Sequence, residues 1–386
     1  ASSAELTRIK TPWLVGSVEW EQKTRKKAIV WLSSMVHKSI LKLTDRDYNE
    51  NGLSELVAQY GPAYNINIEV FNLLQKTITG WPGGKPNTDD TNRPERAFPF
   101  PKRVVIFSPH PDDDIISMGG TFIRLVDQGH DVHVAYQTSG NIAVYDEDVI
   151  RFADFATDFN QFIHEGEDTT TAFFKNTVQT LKNKKPGEMD PTSVMKMKGL
   201  IRRGEAKATC RYVGIPDANA HFLDMPFYET GLVKKNPIGR EDIDCVKKIL
   251  IDLKPNQIFA AGDLSDPHGT HRVCLKAIFL ALNELKDEEW MQECRVWLYR
   301  GAWQEWDIDQ IEMAIPLSPD ELMRKRRGIF KHQSQKDAPM FPGAGPREFW
   351  QRAEDRNRTT ANTYNTLGLP EYEAIEAFVK WDGRLI

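Results

Sequence analysis

Cysteine is scarce in this sequence, with four residues in 386. Cys210, Cys245, Cys274 and Cys294 lie far apart, and none of them belongs to a CxxC pair. Disulfide-held secreted domains need a denser, paired pattern, and zinc sites built from cysteine need closer spacing. The scarcity therefore predicts reduced, buried thiols and a cytoplasmic protein. The first residues also lack a basic segment followed by an apolar core, so no signal peptide is expected.

Long hydrophobic runs and an excess of one charge sign are also missing. An apolar run such as residues 277–282 is far shorter than the ~20 residues that a membrane-spanning helix needs. The 50 basic residues are balanced by 55 acidic ones, which leaves a net charge of −5. Broad nucleic-acid-binding surfaces usually require a basic excess. The composition therefore predicts a globular protein with no membrane span and no nucleic-acid partner.

The spacing of apolar, glycine and proline residues divides the chain into four segments. Residues 1–80 show helical spacing and are predicted to form a helical packing module. Glycine and proline interrupt residues 81–101, which are predicted to form a linker. Residues 102–300 alternate short apolar runs with helical segments and are predicted to form an α/β domain. Residues 301–386 are less periodic, and we expect a C-terminal extension that packs on that domain.

The alternation in the third segment is typical of a parallel sheet. Such sheets bury their strands on both faces, so the strands are short, wholly apolar runs connected by helices. The predicted strands are 104–107, 133–136, 257–261 and 296–299, and the predicted helices of the chain include 18–41, 66–78, 115–126, 199–212 and 272–285. The sequence therefore predicts an α/β fold with a Rossmann-like, doubly wound, mostly parallel sheet, helices on both faces and a small helical segment in front.

Two polar clusters follow predicted strands of this sheet. Residues 108–114 read SPHPDDD after the first strand, and residues 263–271 read DLSDPHGTH after strand 257–261. Ligands of open α/β sheets bind beyond the carboxyl ends of the strands. Three adjacent carboxylates at a partly desolvated turn repel each other, and a divalent cation removes that repulsion. The two clusters are therefore predicted to meet in one metal site.

The residue types in the clusters fit a catalytic metal ion. His110 and Asp113 offer a nitrogen and an oxygen ligand, and either His268 or His271 would complete a set of two histidines and one carboxylate. Such a set leaves coordination open for water, as catalytic zinc requires. The alternative is a polar turn with a helix cap, followed much later by an ordinary helix start. The placement of both clusters at strand ends favours the metal site.

SPHPDDD after an apolar strand, with a later DPHGTH, resembles the LmbE-like (PIG-L) zinc-dependent de-N-acetylases. The resemblance covers residues 102–300 and extends into 313–318 and 332–335. One departure is Asp114, which stands where the family usually has glutamate. The resemblance implies that Asp114 and Asp266 support the metal ligands without touching the metal.

The resemblance also implies a role for each central residue of the two clusters. The zinc ligands would be His110, Asp113 and His271. Asp112 would be the general base that takes a proton from the attacking water. His268 would stabilise the oxyanion or protonate the leaving amine.

Three further residues match the family more weakly and are predicted to contact the substrate. Thr138 lies in the loop after the second strand, and His332 lies in the matched segment near the C-terminus. Arg202 belongs to an R-x-x-E helix whose arginine reaches the substrate in the family. For Arg202, a solvated cation on a helix surface is an equally good interpretation.

These features together predict a zinc-dependent amide hydrolase with one Zn²⁺ per chain. Its substrate would be a small N-acetylated amino sugar or sugar conjugate, and metal-activated water would remove the acetyl group. The sequence leaves open which sugar is used, whether it carries phosphate, and whether the chain forms a homo-oligomer.

Two other functions remain open from the sequence. Two histidines and one carboxylate also bind iron in non-haem Fe(II) oxygenases, although those enzymes usually have a jelly-roll barrel rather than alternating strands and helices. Residues 6–13 (LTRIKTPW) resemble the tail of a glucosamine-6-phosphate deaminase-like domain. The chain would then be the C-terminal part of a fusion protein, with a non-catalytic module as a further alternative. The presence of a base, Asp112, argues against a module without turnover.

Overall fold

The computed structural model describes residues 20–163, 169–185, 187–230, 235–262, 269–302, 304–336 and 347–383. The helices are α1 (Gln22–Val36), α2 (Asp45–Glu50), α3 (Ser54–Tyr60), α4 (Ala63–Thr77), α5 (Asp113–Asp127), α6 (Asp146–Ile163), α7 (Thr169–Asn183), α8 (Thr192–Val213), α9 (Arg240–Leu253), α10 (Thr270–Glu284), α11 (Pro319–Ile329) and α12 (Phe349–Thr366). The strands are β1 (Arg103–Ser108), β2 (Asp131–Tyr136), β3 (Ala220–Phe222), β4 (Gln257–Ala261), β5 (Arg295–Tyr299), β6 (Met313–Leu317) and β7 (Ala374–Lys380). Every helix within these ranges is too short or too polar to cross a bilayer.

The described residues form two compact units. The α/β unit takes its residues from 99–304, 323–353 and 380–386, and the helical unit takes its residues from 1–98, 305–322 and 354–379. The domain boundaries proposed from the sequence stay a prediction. The two units divide the chain differently, since each takes part of residues 81–101 and part of residues 301–386.

The α/β unit is built on five parallel strands in the order β3-β2-β1-β4-β5. β1 lies in the middle of these five, paired with β2 on one side and with β4 on the other. The chain therefore winds outward from β1 in both directions, which leaves a crevice beyond the carboxyl ends of β1 and β4. The predicted doubly wound, mostly parallel sheet is confirmed.

Apolar residues on both faces explain why the central strands are buried. Val104, Val105, Ile106 and Phe107 are fully buried, and every residue of β4 is buried as well. The four predicted strands and the helices of the α/β unit are all present, with ends that differ by a few residues. β3, α6, α7 and α9 were not predicted and complete the unit.

The helical unit packs α1–α4 around its own apolar core, together with the antiparallel pair β6–β7. A buried hydrogen bond from Tyr48 Oη to Asn67 Oδ1 (2.7 Å) joins α2 to α4. The prediction of one helix over 18–41 was wrong at its end, because α1 stops at Val36. His37 takes a left-handed conformation (φ 52°) and its N–H donates to Ser33 O, which closes the helix.

Residues 81–101 contain neither a helix nor a strand. Their glycines and prolines predict this, because proline lacks an amide donor and glycine loses much conformational entropy in regular structure. The β1 strand begins directly afterwards, at Arg103.

The central strands should dominate the stability of the α/β unit. We expect Phe259→Ala, which empties a fully buried position of β4, to lower the free energy of unfolding by about 3–5 kcal/mol. The matched control is Phe162→Ala on α6, where the ring is 87% exposed, with an expected change within about 0.5 kcal/mol. Urea denaturation measures both. Equal losses in the two variants would contradict the buried position of β4.

Candidate metal centre

The turn after β1 is closed by hydrogen bonds around Ser108. Ser108 Oγ donates to His110 O (2.6 Å) and accepts the N–H of Asp114 (3.1 Å). The N–H groups of Asp112 and Asp113 both donate to the same His110 oxygen, at 2.9 and 3.3 Å. The imidazole of His110 and the carboxylate of Asp113 are therefore held three residues apart on one turn, where α5 begins.

Asp113 lies between two histidines. Its Oδ2 is 3.2 Å from Nδ1 of His110 and 3.3 Å from Nε2 of His271, which lies in the first turn of α10. One ligand atom from each of the three lies within 4.8 Å of the other two, and this is the only group of three of this kind in the described part of the chain. Two imidazole nitrogens and a carboxylate oxygen are the donors that Zn²⁺ prefers, so the residues present fit a divalent cation.

The electrostatics of the cluster also suit a cation. Burial alone would raise the pKa of Asp113, but the adjacent His271 and His110 rings hold it well below its usual range. Burial lowers the pKa of His110, despite the opposing effect of Asp113. An ionised carboxylate at Asp113 and a neutral imidazole at His110 are the protonation states that a metal ion needs from these two residues.

Asp112 points to a different partner, the guanidinium of Arg202. Nη2 of Arg202 is 3.1 Å from Oδ1 of Asp112 and donates to Pro111 O at 2.8 Å. Burial raises the pKa of Asp112 to about 8, although the Arg202 charge acts in the opposite direction. The backbone of Asp112 has φ 155° and ψ −22°, a conformation that non-glycine residues rarely adopt. Arg202 is only 1% exposed, so the interpretation as a solvated cation was wrong.

The loop after β2 packs against the same turn. The backbone N–H and the side-chain hydroxyl of Thr138 both donate to Pro109 O, at 3.1 and 2.7 Å. At Gly140 (φ 65°), a Cβ atom would lie 3.2 Å from both Arg202 Cζ and Pro111 Cδ. Glycine is therefore favoured there both by its backbone conformation and by the close approach of Arg202. Thr138 lies beside the motif, and its hydroxyl proton holds Pro109 in place.

Asp114 is buried behind the cluster and is not part of it. Its Oδ2 accepts the hydroxyl proton of Tyr136 (3.0 Å), and its Oδ1 lies 3.3 Å from Ser108 Oγ. Burial raises the pKa of Asp114 to about 6. Its contacts fix the start of α5, in keeping with the supporting role predicted for it, which stays a prediction.

His332 is buried in contact with α8. Its Nε2 is 2.9 Å from Thr209 Oγ1, the side chain is 2% exposed, and burial lowers its pKa to about 3. Next to it, Ser334 donates from N and Oγ to the two carboxylate oxygens of Glu205, both at 2.7 Å. These contacts join His332 to the helix that carries Arg202. Its predicted role in contacting substrate remains a prediction.

Two predicted residues, Asp266 and His268, lie outside the described residues. Their assigned functions therefore stay predictions. The distal histidine that the structure does describe, His271, is brought to the same carboxylate as His110.

A cavity of about 350 Å³ beside Pro111 was missed by reasoning from the sequence. It is lined by Ser139 and Asn141 from the loop after β2, by one face of α8, by Phe222 at the end of β3, and by Asp224 and Glu229 after it. The available signal was the run of aromatic and acidic residues over 222–229, which follows the very short strand β3. Without β3 in the prediction, that run could not be placed at the sheet edge.

Residues 105–282 match the family model of PIG-L, described as GlcNAc-PI de-N-acetylase. The match includes the SPHPDDD turn from its preceding strand onward, and it includes His271 in the second cluster. Residues 105–282 are therefore similar to the PIG-L family. This confirms the resemblance drawn from the two motifs.

A protein of Bacteroides thetaiotaomicron, named as a glucosamine-6-phosphate deaminase-like protein, is 59% identical over 384 residues. The alignment covers 99% of this chain and 58% of the relative. The chain thus spans well under two thirds of the length of the curated relative that it matches.

Solved structures with a related fold include enzymes with different reactions in their names. The N,N′-diacetylchitobiose deacetylase of Pyrococcus horikoshii aligns with a TM-score of 0.47 at 19% identity, over 73% of this chain and 84% of that chain. The 4-carboxy-2-hydroxymuconate hydratase of Pseudomonas putida aligns with a TM-score of 0.46 at 16% identity, over 74% of this chain and 98% of that chain.

The Arg202–Asp112 pair allows a matched test on neighbouring arginines. We expect Arg202→Met to lower the free energy of unfolding by about 3 kcal/mol, because it leaves a buried carboxyl group without its cation. Arg203→Met should cost less than about 1 kcal/mol, since the Arg203–Asp224 pair is partly exposed. Chemical denaturation compares the two. A larger loss in Arg203→Met would contradict the buried pairing.

Proposed function

We propose that the α/β unit is a zinc-dependent hydrolase that removes the acetyl group from an N-acetylated amino sugar or sugar conjugate. The observation that carries the proposal is the convergence of His110, Asp113 and His271, with Asp112 held immediately beside them. The PIG-L match supports the same reaction class. The chain spans 58% of the length of its curated relative. The activity of a longer protein that contains this chain is therefore also a proposal.

The proposed metal ligands are His110, Asp113 and His271. A bound Zn²⁺ would lower the pKa of a coordinated water from about 15.7 towards about 7, and its charge would favour the ionised form of Asp112. Two histidines and one carboxylate leave coordination positions for water and for the amide carbonyl. Asp113 and the two imidazoles would thus hold the metal ion whose positive charge activates the water.

Asp112 is proposed to accept the proton of the attacking water. A general base needs a fixed position within hydrogen-bond reach of that water. Arg202 provides the fixed position, since it binds both the carboxylate of Asp112 and the neighbouring carbonyl of Pro111. His268 is proposed to stabilise the oxyanion or to protonate the departing amine, which would complete hydrolysis to acetate and a free amine.

A second candidate follows from the donor set alone. Two histidines and one carboxylate also suit Fe²⁺ in oxygen-dependent enzymes. Asp112 favours hydrolysis, because an oxygenase site of this type needs no carboxylate base beside its ligands. Metal analysis together with amine release from an N-acetylated sugar separates the two candidates.

The first test concerns the metal. We expect the purified protein to bind about one zinc ion per chain, and we expect chelation to abolish amide hydrolysis and added Zn²⁺ to restore it. His271→Ala should lose both metal and activity, because it removes one of the three ligands. Elemental analysis and an amine-release assay give the two readings. Full activity of the metal-free protein would contradict the proposal.

The second test separates the base from the ligands. We expect Asp112→Ala to keep its zinc and to lose hydrolysis by a factor of about 10²–10⁴, the usual contribution of a general base. Asp252→Ala is the control, as an exposed aspartate of α9 outside the cluster and outside the cavity lining. A variant Asp112→Ala with the turnover of the unmodified protein would refute the assigned base.

A further inference from the structure

The cavity beside Pro111 opens next to the proposed base, because Pro111 is the residue between His110 and Asp112. At about 350 Å³ it lies at the small end of the range for small-molecule pockets, about 300–1,000 Å³. Its walls include apolar side chains from Met195, Leu200 and Phe222. A cavity of this size and position can receive one ring of a substrate whose amide lies at the metal centre.

One carboxylate on the rim of this cavity is held in a fixed orientation. Glu229 is exposed, yet it accepts three hydrogen bonds from the loop after β2. Oε1 accepts the N–H of Ser139 (3.0 Å), while Oε2 accepts the Ser139 hydroxyl (3.0 Å) and Nδ2 of Asn141 (3.3 Å). A carboxylate has about four acceptor positions, so Glu229 has one left, on Oε1, for a hydrogen bond from a ligand.

The position of Glu229 is tied to the metal turn by the same loop. Gly140 lies between Ser139 and Asn141. It packs so closely on Pro111 and Arg202 that a Cβ atom there would lie 3.2 Å from each of them. Thr138 at the start of the loop donates twice to Pro109. Glu229 therefore has a set position relative to the turn that carries the proposed base.

The charges around the cavity favour a ligand that donates hydrogen bonds. The guanidinium of Arg203 is already paired with Asp224 (2.6 Å) and lies over the ring of Phe222 (4.6 Å to the centroid). Lys196 lies on the exposed part of the lining. Glu229 carries its negative charge where a ligand would enter, and a carboxylate attracts hydroxyl donors and repels phosphate.

Building on the proposed de-N-acetylase activity, we propose that this cavity binds an uncharged, hydroxylated sugar unit of the substrate and that Glu229 accepts a hydrogen bond from one of its hydroxyl groups. Glu229 would then be a specificity-determining residue for hydroxyl-bearing substrates. It would discriminate against ligands in which a phosphate group enters the cavity.

The test compares two acetamides with a six-membered ring, N-acetylglucosamine and the hydroxyl-free N-cyclohexylacetamide. We expect Glu229→Ala to lower kcat/KM for N-acetylglucosamine by about tenfold, the order of one charge-assisted hydrogen bond. For N-cyclohexylacetamide the change should stay within about twofold. Calorimetric titration with N-acetylglucosamine should show a matching rise in Kd.

Glu241→Ala is the matched control, because it removes an exposed glutamate of α9 that does not line the cavity. It should keep most of the preference for N-acetylglucosamine. If Glu229→Ala lowered kcat/KM for both acetamides alike, Glu229 would only fasten the loop, and the inference would be overturned. Tighter binding of N-acetylglucosamine 6-phosphate that depends on Lys196 would also overturn it.

The binding measurement separates this inference from the proposed function. Glu229-dependent binding of N-acetylglucosamine without amine release from either acetamide would support the cavity and reject the de-N-acetylase. Amine release with the same preference in Glu229→Ala as in the unmodified protein would support the de-N-acetylase and reject the cavity. Absence of N-acetylglucosamine binding by the unmodified protein would reject the cavity as well.

Discussion

Three consecutive carboxyl groups lie at the end of β1, and the site depends on a separate partner for each of them. Asp112 pairs with Arg202, Asp113 lies between two imidazoles, and Asp114 accepts the hydroxyl proton of Tyr136. Adjacent carboxylates in a desolvated turn would otherwise be driven to protonate. Burial raises the pKa of Asp112 and of Asp114 above the usual range, whereas the two imidazoles hold the pKa of Asp113 below it. A ligand, a base and a structural acceptor can thus follow one another in sequence.

Helix α8 connects this turn to a later part of the α/β unit. Arg202, Glu205 and Thr209 are spaced by three and four residues, so they lie on one face of the helix. Arg202 reaches the turn, and the other two bind Ser334 and His332. The PIG-L match ends at residue 282, yet residues 332–334 fasten the helix that holds Asp112. Contacts made beyond the family match therefore support the proposed base.

The sequence predicted the fold class and the approach of the two polar clusters to each other, because both follow from the pattern of strands and the turns after them. Strands β1 and β4 are apolar throughout, and parallel pairing places the residues that follow them at one edge. His110 and Asp113 are three residues apart, so a single turn brings them together. Strand β3, which was not predicted, is three residues long. A strand of this length is too short to show the pattern of apolar residues by which strands are recognised in a sequence. Helices α6 and α7 carry exposed phenylalanines such as Phe155 and Phe162, which blur the apolar face that reveals a helix.

The role of Arg202 shows where local patterns stop being informative. A lysine- and arginine-rich helix predicts a solvated surface, and the neighbouring Arg203 is indeed partly exposed. Arg202 is buried because one turn of helix meets Gly140, where the missing side chain leaves space for the guanidinium. Burial in turn requires a counter-charge, and Asp112 is the carboxylate within reach. The pairing thus follows from the contact of two loops with one helix face, information that neither the spacing of charges on α8 nor the sequence of the turn contains.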